Sequence, residues 1–111
     1  MPQASNLTAE LLAKHCRPDV PGLSKGQATK LLTALKGWHI TGKKISKTFS
    51  FKDYYHTMAF VNAIAYVSHQ QDHHPDLEVG YNRCVVHYSS HDAGGLSEND
   101  FICAVHVDTL E

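Results

Sequence analysis

The chain has 111 residues, 42% of them hydrophobic and 19% charged, which suits one small domain with one core and excludes a disordered composition. Ten basic and eleven acidic residues leave a formal charge of −1, so no basic stripe exists to hold a phosphate backbone, and nucleic acid is excluded as a direct partner. No apolar run is long enough for a membrane-spanning helix, and Met1-Pro2-Gln3-Ala4-Ser5 lacks the basic and apolar regions of a signal peptide, so the expected location is cytoplasmic with no membrane partner.

Residues 1–23 read as an N-terminal arm, with Leu7, Leu11 and Leu12 on a short helical turn that Arg17-Pro18-Asp19-Val20-Pro21-Gly22 ends. Residues 24–111 read as a single domain. Ser24 and Gln27 form an S-x-x-Q capping box, and Ala28, Leu31, Leu32 and Leu35 follow at helical spacing until Gly37 closes the segment. Trp38-His39-Ile40 begins a strand and Thr41-Gly42-Lys43-Lys44 turns the chain. The next strand sets Ile45, Lys47, Phe49 and Phe51 on one face against Ser46, Thr48 and Ser50, which makes a half-buried hairpin.

Asp53 is the expected N-cap of a helix to about Gln71, with Ala59, Phe60, Ala63, Ile64 and Val67 facing inward. Its other side carries Met58, Val61, Ala65 and Tyr66, a second apolar surface that fits either self-association or deep burial. Pro75 prevents the helix from continuing and leaves His73 and His74 just past its end, where the carbonyl dipoles favour imidazolium. One strand is expected from about Val79 to Ser89, with Asn82, Cys84, Val86 and Tyr88 on one face and Tyr81, Arg83, Val85 and His87 on the other. After the Ala93-Gly94-Gly95 loop, Leu96, Ser97 and Asp100 open a last helix as staple, N-cap and N3 acid, with Phe101, Ala104 and Val105 inward. This order predicts an α+β fold, an antiparallel sheet covered on one face by helices.

Three cysteines, Cys16, Cys84 and Cys103, without C-x-x-C spacing argue against both a disulfide framework and a thiolate zinc site, and reduced thiols are expected. Of nine histidines, His15, His39, His56, His87 and His106 are scattered and receive no role. The segment from Asp72 to Asp100 holds His73, His74, His87 and His91 among several acids, a concentration of proton carriers that titrate near neutrality. The His73-His74 pair admits three readings: a metal site, an idle exposed pair, or an acid/base pair. Neighbouring side chains in a turning backbone point apart and H-H-P matches no zinc spacing, so no metal ligand is assigned.

In the order His69, His73-His74-Pro75, Tyr81, His91 and Asp100, with Gly37-Trp38, Phe51-Lys52-Asp53 and Gly95-Leu96-Ser97 at fitting intervals, residues 24 to 105 resemble the pterin-4a-carbinolamine dehydratase family, in particular its bacterial members. The resemblance implies a four-stranded antiparallel sheet with three helices packed on one face, assembled as a homodimer or homotetramer. It implies loss of water from 4a-hydroxytetrahydrobiopterin to give quinonoid dihydropterin, which recycles the cofactor of an aromatic amino acid hydroxylase. Pterin is then the substrate, and no cofactor is needed.

Carried over by position, His73, His74 and His91 match the family's active-site histidines, and Asp72-His73-His74 and Ser89-Ser90-His91 match its pterin-contacting segments. Asp100 matches a site residue of the family, yet a cap at N3 explains it equally well. Trp38 could stack on the pterin or belong to the core. His69 departs from the acid common at its position, and Cys84 and Tyr88 replace aliphatic residues. The alternative function is that of a non-enzymatic partner that stabilises another protein's dimer, as some members of the family do.

Overall fold

The computed structural model describes residues 3–111, with side-chain surroundings from Asn6 onward. Met1 and Pro2, part of both the expected arm and the stretch read for a signal peptide, lie outside the described residues.

Four strands, β1 (His39–Thr41), β2 (Lys44–Ser50), β3 (Asp76–Val79) and β4 (Arg83–Tyr88), form one antiparallel sheet in the order β1-β2-β4-β3. Alternation along the strands decides which face is covered. Ile45 and Phe49 of β2 and Cys84, Val86 and Tyr88 of β4 are buried, whereas Thr48, Ser50 and Arg83 on the opposite face are exposed. Pairing of Ile45 with Tyr88 and of Phe49 with Cys84 brings the apolar residues of the two strands side by side. The β1-β2 hairpin turns at Gly42, whose positive φ of 61° suits a residue without Cβ.

The single strand expected from Val79 to Ser89 is a hairpin of two. Gly80 N–H donates to the Arg83 carbonyl at 2.8 Å and folds residues 76–79 back onto β4, with Asp76 opposite His87 and Val79 opposite Cys84. Alternation within each arm cannot distinguish one long strand from two short ones, and the turn lies in Gly80-Tyr81-Asn82.

Four helices accompany the sheet, one more than the resemblance implies: α1 (Gln3–Leu12), α2 (Lys25–Leu32), α3 (Tyr54–Gln71) and α4 (Glu98–Asp108). The capping box of α2 forms as expected between Ser24 and Gln27, and bonds from Ala34 and Leu35 N–H to Leu31 and Leu32 extend it as a tighter turn that still delivers Leu35 to the core. Asp53 caps α3 by accepting from His56 N–H at 2.9 Å. The buried stripe of α3 is Thr57, Phe60, Ile64, Val67 and Gln71, so Phe60, Ile64 and Val67 face inward as expected, while Ala59 is exposed and Ala63 half-buried. On its other side Met58 and Val61 are half-buried, and Ala65 and Tyr66 are exposed.

Helix α4 is buried nearly all round, from Asn99 to Val105 and again at Val107. It has neighbours on two sides, α3 and α1. The short turn expected near Leu7 to Leu12 is thus a ten-residue helix whose Leu11 is 1% exposed within the common core. Burying one leucine contributes roughly 1.5–3 kcal/mol. Polar contacts continue along the following segment: Arg17 N–H donates to Asn99 Oδ1 at 3.1 Å, Asn99 Nδ2 returns a bond to the Arg17 carbonyl at 2.8 Å, and Cys16 N–H donates to Gln71 Oε1 at 2.8 Å. No helix among the described residues is long and apolar enough to cross a membrane.

Candidate active site

Helix α3 ends at Asp72, which takes a left-handed conformation (φ 51°, ψ 42°) and lets both its own N–H and that of His73 bond back to the Ser68 carbonyl. Pro75 then forbids any return to helix. This sharp exit separates the two neighbouring histidines: His73 is half-buried and His74 is exposed.

His73 rests against the sheet and α4 at once. Its Nε2–H donates to Asp100 Oδ1 at 2.7 Å, and its ring lies nearly parallel to that of Tyr88, with centroids 5.8 Å apart and planes 12° off. Asp100 is fully buried, and its two oxygens divide the work. Oδ1 takes His73, while Oδ2 accepts from Ser97 N–H at 3.0 Å and from Ser90 Oγ at 2.9 Å. Ser97 Oγ completes the chain by donating to Ser90 Oγ at 2.7 Å. The carboxylate expected as a helix cap therefore also holds His73, with one oxygen turned toward each.

The electrostatics follow from these contacts. The bond to Asp100 is the main cause that lifts His73 above the ordinary histidine range, and it outweighs the opposing effect of burial. Burial pushes the Tyr88 phenol far up, so the ring beside His73 stays neutral. With Nε2 committed to Asp100, Nδ1 is the nitrogen of His73 that no described residue engages.

A cleft of about 810 Å³ opens here. Asp72, His73, His74, Ser89, Ser90 and His91 all line it, and all six were expected at the site. Asp100 lies beneath the wall and acts through His73 and Ser90. His91 begins the 3-10 turn His91–Ala93 after Ser89 and Ser90, which follow β4, so the hairpin brings its far end to the end of α3. His69 is exposed and is not part of the lining.

Trp38 requires a correction as a pterin-stacking residue. It is 5% exposed, packs edge-on against Phe49 at 6.1 Å between centroids, and donates from Nε1 to Asp108 Oδ1 at 2.9 Å. It offers no face to a ligand, because the indole is enclosed by the core and its N–H is already satisfied.

Other wall residues carried no expectation. Cys16 to Gly22 form one side of the cleft, Gln71 and Asn99 contribute to it, and His87 and Asp76 reach it from the open face of the sheet. Gln71 had a readable signal, a polar side chain at an inward helical position. Gly22 comes so close to the turn after His91 that an added Cβ would stand 2.7 Å from the Ala93 carbonyl oxygen, so this position demands glycine. His87 bonds through Nδ1 to Ser46 Oγ at 2.6 Å and through Nε2 to Glu78 Oε2 at 2.5 Å. No three His, Cys, Asp or Glu side chains among the described residues are grouped to hold a metal ion.

The fold is thus an α+β sandwich whose histidine-lined cleft lies between a helix end and a strand end. The profile of the pterin 4 alpha carbinolamine dehydratase family matches residues 21–110, and the chain belongs to that family. A relative in Nitrosospira multiformis, provisionally named a pterin-4-alpha-carbinolamine dehydratase, is 57% identical over 104 residues, covering 91% of this chain and 92% of its own. One of the same provisional name in Nitrosomonas europaea is 61% identical over 98 residues, covering 87% of each chain. Among solved structures, the transcriptional coactivator/pterin dehydratase from Brucella melitensis superposes with a TM-score of 0.77 at 28% identity, covering 80% of this chain and 97% of that one. A pterin dehydratase-like RuBisCO assembly factor of the alpha-carboxysome shares the fold at a TM-score of 0.56 and 24% identity, covering 66% of this chain and 84% of that one.

Proposed function

We propose that this protein dehydrates 4a-hydroxytetrahydrobiopterin to quinonoid dihydropterin by histidine acid/base chemistry in the cleft. The observation that carries the reading is His73, fixed by the buried Asp100 carboxylate on a wall that also presents His74 and His91. Hydroxide leaves poorly, so the elimination needs an acid at the 4a-oxygen and a base at a ring N–H. Raised above its ordinary range, His73 holds a proton at neutral pH more readily than a free histidine and suits the acid, presenting Nδ1–H while Asp100 keeps Nε2–H. His74 and His91, exposed on the same wall, supply the base and the water contact. Asp72, Ser89 and Ser90 give polar groups for the pterin edge. The step moves protons and water only, so it needs no redox cofactor, and the histidines are the proposed carriers of those protons.

Pterin hydroxylated by an aromatic amino acid hydroxylase, with this protein in the cytoplasm as a homodimer or homotetramer, completes the reading. The 4a-hydroxypterin is generated by such a hydroxylase and its decay followed optically with and without this protein, in the presence and absence of a chelator. Acceleration that a chelator leaves intact is the expected result; no acceleration by the wild type overturns the assignment.

A second reading, as a stabilising partner of another protein, draws on the exposed Ala65 and Tyr66 of α3 and on the two structural neighbours, one named a transcriptional coactivator/pterin dehydratase and the other an assembly factor. Gel filtration separates the possibilities for that face. A strict monomer in solution removes self-association as its purpose.

A further inference from the structure

Two of the three thiols lie together at the foot of the cleft. Cys16 Sγ and Cys103 Sγ are 3.4 Å apart, although the residues are 87 positions distant in the chain. Cys16 belongs to the segment that follows α1 and forms part of the cleft wall, where it is half-exposed. Cys103 sits in α4 and is fully buried behind it. Cys84, also buried, lies on β4 outside this contact.

We propose that Cys16 and Cys103 are a peroxide-responsive dithiol that closes to an intramolecular disulfide in the wall of the cleft. A sulfur–sulfur bond is about 2.05 Å long, so the thiols must approach by roughly 1.3 Å. Cys16 can make that approach because it sits in an irregular segment, whereas Cys103 is held in a helix. The pair is ordered in reactivity as well as in space. The Cys103 thiol bonded to it is the main cause that lowers Cys16 below the ordinary thiol range, and the charges of His73 and Arg17 act in the same direction. Cys103 is pushed upward by that same bond and by burial, so Cys16 is the thiol of the pair that gives up its proton first.

The chemistry balances with a hydroperoxide as oxidant. The Cys16 thiolate attacks one peroxide oxygen, the O–O bond breaks, and Cys16 becomes a sulfenic acid as hydroxide or alkoxide leaves. Cys103 then attacks the Cys16 sulfur, the S–S bond forms, and the S–O bond breaks with release of water as Cys103 gives up its proton. Two thiols lose two electrons and the peroxide gains them. Dithiothreitol reverses the change by thiol exchange at the accessible Cys16 sulfur.

The test uses the whole protein and hydrogen peroxide, with free thiols counted after denaturation and the mass and non-reducing peptide map measured. Wild type is expected to lose two of its three thiols and the mass of two hydrogens, to show one peptide linking Cys16 to Cys103, and to recover with dithiothreitol. In Cys103→Ala the expected product is a sulfenic acid on Cys16, trapped by a 1,3-dione, and Cys16→Ser is expected to lose the response while keeping its fold. A link that involves Cys84, a disulfide between molecules, or over-oxidation of Cys16 with Cys103 intact overturns the proposal. Should Cys103→Ala not fold, the wild-type map and Cys16→Ser decide it. Because the readout is thiol chemistry, the outcome is independent of the reaction assigned to the cleft.

Discussion

Two histidine–carboxylate contacts in this molecule have the same length and different surroundings. His73 meets Asp100 at 2.7 Å with side chains 16% and 0% exposed, and His56 meets Asp53 at 2.7 Å with side chains 59% and 28% exposed. The first raises its histidine, and the second serves a helix N-terminus, where His56 N–H is the main cause that lowers Asp53. Distance alone does not distinguish a buried pair from a surface one. Water screens the exposed contact, whereas the buried carboxylate is balanced by its bonds to His73, Ser90 and the cap of α4.

The sharpest break in the comparison is kinetic. His73→Ala is expected to slow dehydration about 10²- to 10⁴-fold, with His91→Ala affected in the same direction, while His56→Ala matches wild type. Equal rates for all three in the optical decay assay would dissolve the distinction. The next effect is on folding: Asp100→Ala removes partners from His73, Ser90 and Ser97 N–H together, and a loss of about 3 kcal/mol in urea unfolding is expected.

A smaller effect sharpens the contrast through pH. The folded-state pKa of His73 lies above its unfolded value of about 6.5, so its contribution is fully present below that value and is lost as pH rises through the raised one. Thermal midpoints measured from pH 6 upward should therefore decline in that window, and Asp100→Asn should flatten the decline. The smallest effect belongs to the surface pair: His56→Ala is expected to leave both the midpoint and its pH profile unchanged, because that contact stands in solvent. A shift as large as that of Asp100→Asn would show that burial is not what separates the two sites.

Legibility along the chain followed how local the deciding interaction is. The Ser24–Gln27 box, the Asp53 cap and the alternation of β2 were readable because partners three residues apart, or two-residue periods, determine them. The strand break at Gly80 was less legible because a flat alternating pattern survives a turn. Ala59 of α3 is exposed although its spacing suits the inward stripe, because small apolar residues carry too weak a preference to fix the face.

At the site, six expected residues share one cleft, but the participation of Cys16 to Gly22 and His87 in its wall left no local trace. Nor could the sequence tell that Asp100 uses one oxygen for the helix cap and the other for His73.

The amino-acid sequence by itself determined the α+β class, the caps of the helices and the proton-carrying chemistry of His73, His74 and His91, since each depends on short-range geometry or residue type. Only the tertiary structure decided that Trp38 is core, that α1 completes the burial of α4, and that two distant thiols meet beneath the histidines. Those outcomes depend on which surfaces close over one another. Such closure is a balance of burial summed over the whole chain, and no segment carries it alone.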